Sequence, residues 1–544
     1  MLIDLVKNKG YKWIKKNNIC FKGYFTFFDS PEKVYREKSA IECIKGITDF
    51  GVFEEFLNTI DGLYSIIISL SDKTFIAVDR SRSMPLYFNS DCTVLSDSAE
   101  RVRQHMNGGE KLDQEQYNMM LSSGFTIGND TIFSNIKQLD MGQNALISDG
   151  KVKINNYFWH TSNVCNLSED DILKRLDEVG DRAFKRIKAA IGGRPVVLSM
   201  SGGYDSRFVG CMLKRAGIED VSCYTYGKET SFEVIQSKKN AEALGFRWKC
   251  VKHTDEDVIS TLDSVGQDYL DYTNQHDFTA YIQNFPAVRK LNEEGWIKPG
   301  SVFLTGLCGD MPTGYYIKPY NENYEYNSHT AAREVYKYIY GRLWLKDNYE
   351  KEKINGIKEK FDKLPFKIDS YQSWVSALDV ALTGTSHSRM FMHMNDVHEY
   401  FGYEFLLPFW DSEFLKLWYS ISAQMRLHQE LYSKWLLEKL CSPYGIDQKK
   451  TVMRYSSNSK VQKFKKFIGG TLNSIFLNVG IPFRRSYDFS NFAPLELKLF
   501  KGLKTRRYVI YKKAGLRMLL NQYALQKRYD LSYMKESKKY FSKK

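Results

Sequence analysis

Apolar and polar positions alternate with the period of strands through residues 1–160. Residues 63–70 and 74–78 flank Ser71-Asp72-Lys73, and residues 86–88 and 93–95 flank a polar turn, which predicts two hairpins. The period then changes: Ile172, Leu176, Val179, Ala183 and Ile187 recur at helical spacing. The run Val196-Val197-Leu198 has no polar alternation, so it predicts a strand buried on both faces; it stops at Ser201-Gly202-Gly203, and 208–216 reads as an amphipathic helix. Strands follow at 220–227, 247–251 and 302–304, with a helix over 232–244, and residues 331–440 are mostly helical. This βα order predicts an open parallel sheet with right-handed crossovers, and a ligand belongs at the carboxyl ends of its strands.

The junction at 201–206 carries the chemistry. A strand, a tight loop and a helix start aim unpaired backbone N–H groups at one point, and Gly202 and Gly203 let the backbone approach a phosphate. Ser201 and Ser206 add hydroxyl donors. Asp205 suits a phosphate site when Mg²⁺ lies between carboxylate and phosphate. Tyr226 ends the next strand, where it is expected to line an adenine pocket. The Gly-Lys-[Ser/Thr] ending of the Walker loop is missing.

Ser-Gly-Gly-x-Asp-Ser resembles the pyrophosphate loop of the N-type ATP pyrophosphatases, which adenylate a carboxylate or carbonyl and release pyrophosphate. The resemblance widens upstream. Asp61-Gly62-Leu63-Tyr64-Ser65, Val78-Asp79-Arg80 with Pro85-Leu86-Tyr87, Leu95-Ser96-Asp97-Ser98 and Tyr157-Phe158-Trp159 are similar, in order, to the glutaminase domain of asparagine synthetase-type amidotransferases. That likeness implies an N-terminal-nucleophile αββα sandwich of two antiparallel sheets over 1–160, and a parallel-sheet ATP pyrophosphatase domain with a helical C-terminal part over 161–450. The family's nucleophile is the cysteine after the initiator methionine, with the freed amine as base. Leu2 stands there and no cysteine precedes Cys20, so the glutaminase reaction is expected to be absent.

Thr305-Gly306-Leu307-Cys308-Gly309-Asp310-Met311 resembles the family's second pyrophosphate loop, Ser-Gly-x-Gly-x-Asp-Glu, with Thr305, Gly306 and Asp310 in register. Cys308 replaces a glycine, and Met311 stands where the family often has Glu. The resemblance implies that Asp310 shares Mg²⁺ with Asp205. Glu404-Phe405-Leu406-Leu407-Pro408-Phe409-Trp410-Asp411 is similar to Glu-x-Arg-x-Pro-Phe-Leu-Asp, which gives Glu404 a catalytic role near the acyl-adenylate; Leu406 holds the Arg position. A lysine that serves the transition state is matched by Lys449 or Lys450, with Lys450 taken as the catalytic candidate. Arg389 and Asn395 are weaker candidates for substrate contacts.

The expected function is an asparagine synthase-like ligase. ATP and Mg²⁺ activate a small-molecule, peptide or sugar carboxylate, and ammonia or another amine forms the amide. The alternative is a degenerate nucleotide-binding partner protein, for which Leu2, Met311 and Leu406 speak.

Charge changes this picture only at the end of the chain. Residues 450–544 hold 23 basic and four acidic residues, more than the whole net charge of +14, so the basicity belongs to the tail. This basic, aromatic-rich extension over 451–544 reads as helical with a solvated face, with an anionic partner or membrane surface as the alternative; no RNA-binding motif accompanies it. No signal-type start and no apolar run long enough for a membrane span occur, and nine cysteines without a Cys-x-x-Cys pair suit reduced thiols, so a cytoplasmic protein is expected. His387, His393 and His398 do not share one helix face, which argues for core or solvated histidines over a metal site.

Overall fold

The computed structural model describes residues 1–341, 345–449, 476–482, 490–504 and 516–543. The first half begins with two sheets. One is seven-stranded: β2 (Trp13–Lys16), β3 (Ile19–Phe27), β4 (Ser30–Arg36), β5 (Ile60–Ser69), β6 (Lys73–Val78), β10 (Gln143–Ser148) and β11 (Lys151–Asn156). The other orders β1 (Leu2–Asp4), β8 (Val94–Ser96), β7 (Tyr87–Asn89) and β9 (Ile136–Gln138). Period-two alternation decides the layers. Ile66 and Ile68 of β5 face the helices α1 (Glu37–Ile44) and α2 (Phe50–Thr59) in one cluster with Ile41, Phe53 and Leu57. Ile67 points the other way, into a cluster with Phe88 and Leu95 of the second sheet. That sheet's far face meets α3 (Ala99–His105) and α4 (Gln114–Ser123) through Tyr87, Val102 and Leu121.

The result is the expected four-layer αββα sandwich, with one departure. Its smaller sheet is mixed, not antiparallel, because β1 pairs β8 in parallel with Ile3 opposite Leu95. Both hairpins form: β5 with β6, and β7 with β8.

The helix α5 (Glu169–Ile191) leads into the second half. The Ser168 hydroxyl accepts from the Asp171 N–H at its start, Gly192 closes it at φ 61°, and Ile172, Leu176, Ala183 and Ile187 form its buried stripe. Five parallel strands follow: β12 (Val196–Ser199), β13 (Val221–Tyr226), β14 (Arg247–Val251), β15 (Val302–Leu304) and β16 (Glu404–Leu406). Their order is β14-β13-β12-β15-β16, which puts β12 in the centre, where its unbroken apolar run has helices on both faces.

The halves meet through buried charge. Arg82 and Arg389 are fully buried and both ion-pair Asp277, at 2.5 and 3.5 Å. Arg82 also donates to Tyr87 Oη at 2.9 Å, while Arg389 reaches Gln138 Oε1 at 2.6 Å and Asp140 at 3.0 Å. Arg389 is therefore a seam residue, and the substrate contact suggested for it has no support in its position.

The C-terminal extension departs from the solvated appendage expected of it. Its described helices Ala493–Gly502 and Leu516–Arg528 bury Leu495, Leu499, Leu519 and Leu520 in the main core cluster. A ring contact of Tyr529 with Tyr117 and a hydrogen bond that Ser537 accepts from Gln114 tie it to α4.

Candidate active site

The loop expected to bind an anion sits between the carboxyl end of β12 and the helix that follows it. Gly203 is the N-cap of α6 (Tyr204–Arg215) and offers no side chain to the helix's first N–H groups. The serines organise the loop: Ser201 N donates to Ser206 Oγ at 3.0 Å, the two hydroxyls lie 2.9 Å apart, and Gly203 N donates to Ser201 Oγ at 3.0 Å. Gly202 N donates to Glu233 Oε2 at 2.9 Å, so a carboxylate from the first turn of α7 (Phe232–Ala243) already holds one loop N–H. Sequence reasoning missed Glu233; its place at a helix start following a strand end was the available signal.

The second loop leaves β15, the neighbour of β12, and lies against the first. A Cβ on Gly306 would stand 2.8 Å from the backbone carbon of Asp205, and one on Gly309 would stand 2.6 Å from Asp205 Cγ. These contacts leave room for glycine alone. Cys308, in the position where the resembling loops have glycine, adopts φ 72°. The left-handed turn is thus kept without the residue that makes it easy.

Asp205 and Asp310 are both half-buried and share neighbours. Burial pushes the Cys308 thiol up, and both carboxylates push it further. The Tyr432 hydroxyl donates to Asp205 Oδ1 at 3.1 Å, and its ionisation is opposed first by burial, then by Asp205, and more weakly by Asp310. Gln429 donates to Thr313 Oγ1 at 2.6 Å and lies 3.5 Å from Asp310 Oδ1, carried on a backbone at φ 61° that follows His428 at φ 57°. Two consecutive non-glycine residues in that region are a strained pair beside the acidic end of the site.

Two hard carboxylates at adjoining strand ends fit a cation that takes few protein ligands and completes its shell with phosphate and water, as Mg²⁺ does. Among the described residues no group of three or more His, Cys, Asp and Glu is placed to hold a metal ion.

Tyr226 ends β13, its ring stacked on His253 at 5.0 Å and 15° and its hydroxyl pushed up to about 12 by burial. His253 in turn meets Phe492 and the Ser490 carbonyl of the extension. One face of the Tyr226 ring is therefore covered by His253, which the chain's tail backs.

Glu404 is not brought to the loops. It begins β16 opposite Val302, the first residue of β15, whereas the second loop follows Leu304. At that amino edge it accepts from Arg194 at 2.6 Å and lies 3.5 Å from Arg36 of β4. A strand's first residue in a parallel sheet lies at the opposite end from its neighbours' ligand loops, so Glu404 is an ion-pair residue here. Lys450 lies outside the described residues; Lys449 is described and exposed.

The asparagine synthase family model matches residues 186–449. No curated protein matches the chain. Among solved structures 38 chains match. One is the glutamine phosphoribosylpyrophosphate amidotransferase from B. subtilis complexed with ADP and GMP, at 12% identity over 59% of each chain with a TM-score of 0.17. Another is titled as the allosteric regulatory enzyme of purine biosynthesis, at 9% identity over 59% of this chain and 58% of that one, TM-score 0.18. Both matches span less than two thirds of the solved chain, and overlays this poor carry no weight for fold or function. Residues 186–449, which hold both loops, Tyr226 and Glu404, are therefore an asparagine synthase-family domain.

Proposed function

We propose that the chain is an ATP-dependent carbon–nitrogen ligase that activates a carboxylate as its acyl-adenylate and passes it to ammonia or another amine, releasing AMP and pyrophosphate. The observation that carries this reading is the contact of Gly306 and Gly309 with Asp205, which joins two loops into one anion-facing surface. In this mechanism the positive N-terminus of α6 and the Ser201 and Ser206 hydroxyls, which the loop's own N–H groups hold in place, receive the pyrophosphate as it leaves. Asp205 and Asp310 would hold Mg²⁺, which when bound neutralises the departing phosphates. Tyr432 fixes the rotamer of Asp205 through its 3.1 Å bond. Tyr226 covers one face of the adenine. Closeness of amine and activated carbonyl supplies the remaining acceleration.

Ammonia or an amine is the nitrogen source in this reading. Leu2 occupies the position of the resembling enzymes' nucleophile, and the first cysteine, Cys20, is 4% exposed within β3 with its thiol pushed up by burial. The setting is cytoplasmic in this reading; no described helix is long and apolar enough to cross a membrane.

The bond from Gly202 N to Glu233 favours a second reading, a nucleotide-binding partner without turnover, because an internal carboxylate takes a donor meant for phosphate. Exchange between pyrophosphate and ATP in the presence of candidate acids separates the two. The ligase reading expects carboxylate-dependent exchange that falls on the order of 10²-fold in Asp205→Asn and Asp310→Asn. Nucleotide binding with no exchange for any acid leaves the partner reading standing, and glutamate produced from glutamine alone removes the amine-donor claim.

A further inference from the structure

A cavity of about 750 Å³ opens between the sandwich and the synthetase half, walled by α5 and the helix Ser412–Ser420 on one side and by Phe28 and Phe158 on the other. Its size falls in the range of small-molecule sites, and domain junctions are where such sites concentrate. Arg80, 6% exposed, lines it. The guanidinium carbon lies 5.0 Å from the Phe28 ring and 4.5 Å from the Phe158 ring, so aromatic carbon covers its faces. Its edge is poorly used. Nη2 makes one 3.4 Å bond to the Leu57 carbonyl, and Nε has no partner.

A buried guanidinium normally has a carboxylate. Asp61 is close enough to feel Arg80, yet its oxygens are taken by the Ser412 N–H at 2.9 Å and hydroxyl at 2.6 Å. Arg80 makes no ion pair among the described residues. The rim adds positive charge. Exposed Arg175 and Lys416 form no ion pair among the described residues, whereas Glu413 is claimed by Arg182 at 3.4 Å and by Arg186 at 2.6 Å. Glu178 alone opposes them.

We propose that this cleft is a second ligand site, separate from the nucleotide loops, that takes a small metabolite bearing an oxyanion head, carboxylate or phosphate. A guanidinium covered on its faces and unsatisfied along its edge recognises a planar pair of oxygens, with Arg175 and Lys416 drawing the anion in. Sited on both halves of the chain, a ligand here couples the sandwich to the synthetase domain. The inference does not depend on the reaction proposed above.

Calorimetric titration of the full chain with inorganic phosphate and with succinate, at constant ionic strength, tests it. Saturable binding of either probe is expected. Arg175→Glu/Lys416→Glu, both on the surface, should weaken it at least tenfold at an unchanged melting temperature, and Arg80→Lys should weaken it while keeping the charge. Ser201→Ala, in the nucleotide loop, should leave it unchanged. Phosphate binding without succinate assigns a phosphate ligand, and the converse a carboxylate. No saturable binding, binding indifferent to the charge reversal, or binding lost in Ser201→Ala overturns the proposal.

Discussion

Gly309 lies so close to Asp205 that a Cβ on it would stand 2.6 Å from Cγ and 2.7 Å from Oδ1. Phe409 Cζ, also 2.7 Å from that point, blocks the retreat. Gly309→Ala is therefore expected to push the Asp205 carboxylate off its position and to reduce exchange between ATP and pyrophosphate on the order of 10²-fold, since ångström displacements cost that much. Gly356→Ala is the control. Nothing lies within 4 Å of its added carbon, and helix propensity makes it neutral or stabilising by about 1 kcal/mol. Equal exchange in both variants would dissolve the link between the two loops.

Cys308 at φ 72° makes a different claim. Cys308→Gly removes a left-handed penalty of roughly 1 kcal/mol, offset in part by the lost thiol packing, so stability should change little and exchange should persist. Cys308→Val forces a β-branched residue into the same backbone and should abolish exchange. An active Val variant would mean that this turn does not matter.

Acid should weaken the fold through buried histidines. Burial pushes His160 and His387 down to about 4 and His398 to about 3. Each stays neutral when folded but takes a proton near pH 6.5 when unfolded. Their contribution is complete above about 6.5 and is lost as pH falls toward about 4, by up to about 1.4 kcal/mol per histidine per pH unit. Urea midpoints at pH 7 and pH 5 should differ accordingly, and a midpoint independent of pH in that window contradicts the burial of these rings.

The extension should behave as core. Leu499 is fully buried, and Leu499→Ala is expected to cost about 2–5 kcal/mol. Truncation at 450 removes Leu495, Leu499, Phe500, Leu519 and Leu520 from one cluster and should lower the melting temperature sharply or leave the protein insoluble. A truncated chain that melts like the whole one, yet no longer sediments with anionic vesicles, would restore a purely peripheral role.

Legibility followed the range of the interactions. The loop at 201–206 was readable because strand, turn and helix signals are contiguous, and β5–β6 because a hairpin closes locally. Glu404 is misplaced by its motif because the end of a strand that faces the ligand depends on register with β15, where its partner Val302 lies 102 residues away. The leucine spacing of the extension was visible, but its partner surface on α4 and the main core was not. Arg80 lies in a recognised stretch, and only the arrival of Phe28 from the turn after β3 and of Phe158 from the segment after β11 shows its unused edge.

The triad Arg82–Asp277–Arg389 bears on how the molecule comes apart. Separating the halves would take Arg82 from Asp277 and Arg389 from Asp140 and Gln138, and removing one partner of such a buried pair costs about 3–5 kcal/mol. Neither half is then a good candidate for existence alone. A calorimetric scan should give a single endotherm in which sandwich and parallel sheet melt as one cooperative unit, and expression of either half by itself should yield a species that binds hydrophobic dyes and lacks near-ultraviolet dichroism.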